Sequence, residues 1–162
     1  MDYLWSPWRY RYLTEPQKPD GCIFCAMAAR PEDDEKSLIV LRAKYNFIVL
    51  NRYPYTSGHL MIVPYRHAAE LAGIQAEAAA ELMELVRNAE LRLREVYRPE
   101  GLNVGMNIGE SAGAGIAGHI HLHMLPRWTG DANFMTTVAQ TRILPEELDV
   151  TWQRLRQAFS NK

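Results

Sequence analysis

Between residues 75 and 97 the apolar positions Leu82, Leu85, Val86, Ala89, Leu93 and Val96 recur three or four apart, which predicts one long amphipathic helix. Glu90 and Arg94 form an i,i+4 pair on its polar side, and Pro99 and Gly101 end it. A second stripe of Leu148, Trp152, Leu155 and Phe159 predicts a C-terminal helix from about Pro145, proline suiting a first turn. Residues 37–43, 47–51, 59–63 and 102–108 are short apolar runs bounded by turn residues, and they predict strands. In one further segment His119, His121 and His123 alternate with Ile120, Leu122 and Met124. Successive side chains on a strand point to opposite faces, so the three imidazoles stand in one row about 7 Å apart. The apolar face can be buried and the histidine face left free for chemistry. A helix would not align residues two apart. Strands in short antiparallel succession with helices added give an α+β domain.

Residues 1–21 carry Tyr3, Trp5, Pro7, Trp8, Tyr10, Tyr12, Pro16 and Pro19 without regular spacing. They predict an extended aromatic arm packed on the body or on a second subunit, with residues 22–162 as a single domain. A length of 162 residues suits one core. The net charge of -1 argues against nucleic acid as a partner. No apolar run reaches the roughly 20 residues of a membrane span, so no membrane partner is expected. The opening residues lack the pattern of a secretory signal, which leaves the cytoplasm as the expected location.

Imidazole near neutral pH can act as nucleophile, proton carrier or metal ligand. The glycine- and alanine-rich loop at 109–118 precedes the histidines, and glycines let backbone N–H groups approach an anion. A hairpin connection explains the loop equally well. Cys22 and Cys25 have the spacing of half a zinc site; a redox pair or two small buried thiols are the alternatives. His59 follows the turn glycine Gly58 and is expected to end a strand rather than bind anything.

The run from His119 to Leu125 resembles the signature of the histidine triad family of nucleotide hydrolases and transferases. Cys22-Ile23-Phe24-Cys25, Asn51-Arg52-Tyr53-Pro54 leading to Gly58-His59, Pro64-Tyr65-Arg66-His67 and Asn107-Ile108-Gly109-Glu110 resemble family segments in the same order. Residues 4–9 and 126–134 look like the bacterial branch of diadenosine tetraphosphate phosphorylases or ATP adenylyltransferases. The resemblance implies an antiparallel sheet of about five strands with one long helix and a C-terminal helix, paired in a homodimer. The long helix and the aromatic arm are then the candidates for the dimer interface.

By the same resemblance His121 is the catalytic nucleophile, attacking the α-phosphorus of a nucleotide to give a nucleotidyl-histidine. Splitting one hard displacement into two is the benefit of covalent catalysis. His123 is then a donor to phosphate oxygens, and His119 supports the site. Asn51 would bind the ribose, unless it serves a strand-end turn. Phe24 and Val49 would wall the base, though core packing explains both. Asn107 would precede the phosphate loop, unless its amide is used locally. Zinc-bearing relatives imply a structural zinc on Cys22, Cys25, His67 and His119; the need for a catalytic divalent ion is left open. Many relatives carry glutamine or serine where this chain has Gly115, so backbone N–H groups and Ser111 are left to meet the phosphate. The expected substrate is a small-molecule nucleotide, a dinucleoside polyphosphate or related adenine nucleotide, with water or phosphate as acceptor. A nucleoside phosphoramidate hydrolase and a non-catalytic nucleotide-binding module are the alternatives.

Overall fold

A computed structural model of the chain describes residues 21–131 and 145–160. The predicted arm, Gly21 excepted, lies outside the described residues. Helices α1 (Ile23–Ala28) and α2 (Asp34–Ser37) come first. They lead into the meander β1 (Ile39–Arg42), β2 (Asn46–Leu50) and β3 (Leu60–Pro64). Helix α3 (Ala76–Tyr97) follows, then β4 (Gly101–Met106), β5 (Leu122–Arg127) and α4 (Leu148–Ser160). The five strands form one sheet in the order β1-β2-β3-β5-β4, with every neighbouring pair antiparallel. This is the α+β arrangement expected from the pattern.

Every residue of β2 and β3 is buried, so both faces of the central strands are covered. The stripe on α3 behaves as its spacing requires: Leu82, Leu85, Val86, Ala89 and Leu93 all enter the core. Glu81 fixes the helix against the β1–β2 turn, its carboxylate accepting the backbone N–H groups of Lys44, Tyr45 and Asn46. Helix α4 starts at Leu148 rather than at Pro145. The reason is Glu146, held outside the helix by the Tyr97 hydroxyl at 2.5 Å, the Thr151 hydroxyl at 2.7 Å and the Arg154 guanidinium.

One expectation about the histidines needs correcting. Strand pairing begins only at Leu122, which faces Ile62 of β3 and Met106 of β4. His119 and His121 lie on the approach to β5, where the Ile120 N–H goes to the Ala68 carbonyl instead of to a strand. His123 is inside the sheet, opposite Met61 and Gly105, and Met61 in turn faces Val49. Cross-strand partners share a face, so Val49, Met61, His123 and Gly105 form one row.

Candidate functional site

The histidine row is more covered than alternation suggests. His119 has no exposed surface and His121 is 4 % exposed, whereas His123 is half-buried. The cover is α1: Phe24 sets its ring edge-on to His119 at 5.4 Å and tilted on His121 at 5.2 Å. The rings of His121 and His123 stand 4.9 Å apart. Burial lowers the pKa of all three, to about 4 for His123, where the neighbouring His121 adds to the effect. Each is therefore neutral near pH 7.

Two tautomers follow from partners that can only accept. The His119 carbonyl lies 2.9 Å from His121 Nδ1, so that nitrogen carries the proton and Nε2 keeps its lone pair. The Pro64 carbonyl lies 2.8 Å from His119 Nε2, which places that proton on Nε2 and leaves Nδ1 as the donor atom for a metal.

That nitrogen faces the cysteines. Cys22 Sγ is 3.2 Å and Cys25 Sγ 3.7 Å from His119 Nδ1, and Cys25 Sγ is 3.4 Å from His67 Nδ1. One ligand atom from each of the four residues lies within 4.8 Å of all the others. A tetrahedral zinc, with bonds of about 2.3 Å to sulfur and 2.0 Å to nitrogen, sets sulfur–nitrogen edges of about 3.5 Å. The observed contacts bracket that length, so the donor set fits such an ion. Burial and the neighbouring Cys22 raise the pKa of the Cys25 thiol, and a bound cation would oppose that by favouring the thiolate.

The other residues named from sequence are placed as follows. Phe24 touches two of the three histidines, and Val49 shares the His123 row but has no exposed surface. The Asn51 amide is engaged locally: Oδ1 accepts the Tyr53 N–H at 3.0 Å, and Nδ2 lies 3.3 Å from His59 Nδ1. Asn107 donates to the Gly113 carbonyl at 3.4 Å, the local use of a loop amide. Ser111 and Gly115 are exposed on the loop that runs into His119. Gly109 and Gly113 bracket its single 3-10 turn at φ 86° and 91°, the left-handed region that glycine reaches without strain.

Sequence reasoning missed His59. It is 1 % exposed, its Nε2 lies 2.9 Å from His123 Nδ1, and its ring lies 5.1 Å from that of His123. Tyr55 packs on both rings, at 4.9 Å from His59 and 6.4 Å from His123. A lone histidine after a turn glycine carries no periodic signal; its place in a family-like segment was visible, but its contact with His123 is seen only in the fold.

Residues 32–130 match the model of the HIT domain. The chain is 42% identical over 154 residues to AP-4-A phosphorylase of Mycobacterium tuberculosis, covering 91% of this chain and 79% of that protein. Among solved structures it resembles a Zn-bound histidine triad family protein from Mycobacterium smegmatis, with a TM-score of 0.70 and 26% identity over 86% of this chain and 94% of the other. A hypothetical histidine triad nucleotide-binding protein from Sulfolobus tokodaii has the same TM-score and identity, covering 86% of this chain and 93% of its own.

Proposed function

This chain belongs to the HIT family, and from that premise we propose that it cleaves dinucleoside polyphosphates of the diadenosine tetraphosphate type at the α-phosphate, through a nucleotidyl group carried on His121. The observation that supports this most is the bond from His121 Nδ1 to the His119 carbonyl. It orients a neutral imidazole whose Nε2 lone pair is available for attack. In the first step Nε2 forms a bond to the α-phosphorus as the phosphorus–oxygen bond to the leaving polyphosphate breaks, and the leaving group takes that electron pair. In the second, an oxygen of water or phosphate attacks the same phosphorus and the electrons of the phosphorus–nitrogen bond return to Nε2. Such transfers depend on positioning and charge stabilisation, the role this reading gives to His123 and to N–H groups of the loop that precedes His119.

Cys22, Cys25, His67 and His119 would hold a structural zinc. Such an ion would tie α1, and with it Phe24, to the residue whose carbonyl orients His121. The 42% identity to an AP-4-A phosphorylase favours phosphate as the acceptor.

Incubation with diadenosine tetraphosphate, with and without phosphate, followed by mass identification of the products tests this reading. Transfer from the α-phosphorus to phosphate gives ADP and ATP, and transfer to water gives AMP and ATP. Turnover of a nucleoside phosphoramidate alone, or saturable nucleotide binding without product, would contradict it.

A further inference from the structure

We propose that Arg42 is a positioning residue for the metal cluster: from strand β1 it caps the C-terminus of α1, and so holds Cys22 and Cys25 in place before an ion binds. The inference rests on the zinc proposed above, and it starts from how little α1 supplies for itself. The helix has six residues, no side-chain cap at Cys22, no acidic residue in its first turn and no basic residue in its last. A helix that short is not held by its own hydrogen bonds, and the last carbonyls of any helix lack their usual donors. Yet α1 must present two thiols to His119 and His67 and lay Phe24 over His119 and His121.

Arg42 supplies what the helix lacks. Its Nη1 donates to the Ala28 carbonyl at 2.9 Å and its Nη2 to the Met27 carbonyl at 3.0 Å. A cation at that end also meets the negative pole of the helix. A second edge of the guanidinium grips Asp34 of α2, with Nε 2.9 Å and Nη2 2.8 Å from Oδ1. The planar fork cannot swing away from one partner without breaking with the other. The two side chains are only 21 % and 16 % exposed, so water competes weakly for these bonds. Arg42 itself is fixed by its pairing with Phe47 of β2, which anchors the cap to the sheet. An ion on the cysteines would hold the N-terminal end of α1 and Arg42 holds the other. Of these two anchors, Arg42 is the one the metal-free chain keeps.

The substitution Arg42→Gln removes the charge and the fork. Zinc affinity, measured by competition with a chromophoric chelator where both proteins are folded, should fall by about 10-fold to 100-fold, the range for outer partners of metal ligands. A loss of global stability alone would leave that affinity unchanged. Hydrogen exchange on the metal-free proteins reads α1 itself, through the N–H groups of Ala26 and Ala29 that bond to the Cys22 and Cys25 carbonyls. Both should be protected in the wild type and exchange about 10-fold faster or more in the variant, the worth of a hydrogen bond to a charged group. Amides of α3 should keep their wild-type rates. Acceleration spread equally over α3 would mark a global effect and overturn the proposal. So would metal-free wild type whose Ala26 and Ala29 amides exchange as in an unfolded chain, a result that needs no variant to fold. A wild type that takes up no zinc overturns the cluster assignment and this proposal together. A wild type that binds zinc and a variant that binds it equally well overturn this proposal alone.

Discussion

The backbone carbonyl of His119 accepts the Nδ1–H of His121 at 2.9 Å, while the side chain of His119 reaches the Cys22 thiol at 3.2 Å. One residue thus joins the cysteine cluster to the tautomer of the candidate nucleophile.

Removing a cysteine should therefore affect more than stability. Cys25→Ser is expected to abolish near-stoichiometric zinc, measured by elemental analysis of the purified protein, and to lower kcat through loosening of His119. An ion present at about 1,000 times its dissociation constant contributes about 4 kcal/mol. Its loss lowers the unfolding midpoint by roughly 10 °C at this chain length. A variant that keeps both its zinc and its midpoint would contradict the assignment of Cys25.

The pKa of about 4 at His123, caused by burial and then by His121, sets a pH dependence with a definite sign. An unfolded histidine titrates near 6.5, so between that value and about 4 the folded chain binds fewer protons than the unfolded one. The stability from keeping this ring neutral is complete above about pH 6.5 and declines as the pH falls toward 4. Urea midpoints at pH 7.5 and 5.0 should fall more for the wild type than for His123→Gln. Equal losses would show that this ring does not contribute.

Glu81 offers a structural control, because its bonds go to the β1–β2 turn and to none of the histidines. Burial alone would raise its pKa, but the Asn46 side chain and the backbone N–H groups of Tyr45, Lys44 and Asn46 outweigh burial and hold it low. Its contribution is therefore present at neutral pH and lost as the pH drops through the folded value. Glu81→Gln turns an acceptor into a donor facing other donors, which should cost about 1–3 kcal/mol in chemical denaturation with kcat unchanged. A fall in kcat at full stability would contradict this purely structural role.

Much of this was legible because helix and strand periods are local. The α3 stripe and the buried strands β2 and β3 are written in the order of apolar residues. The metal cluster was legible only through resemblance, since Cys22 and His119 lie 97 residues apart in sequence. Alternation put His123 on a strand but extended that strand over His119 and His121, which precede its first paired residue, and it misjudged the exposure of those two because their cover comes from Phe24 on a separate helix. The link between Asn51 and His59 was illegible for another reason. It depends on where two backbone N–H groups point in the turn after β2, and side-chain identity does not encode that.

The central claim is that His121 Nε2 becomes bonded to phosphorus during turnover. It is tested most directly by quenching the reaction with diadenosine tetraphosphate in alkaline denaturant, where a phosphorus–nitrogen bond survives, and mapping the modified peptide by mass. The account predicts one adenylyl group on His121 in the wild type, no adduct in His121→Ala, and turnover lower in that variant by more than about 10³-fold. Products formed at the wild-type rate by His121→Ala, or an adenylyl group found on any other residue, would contradict it.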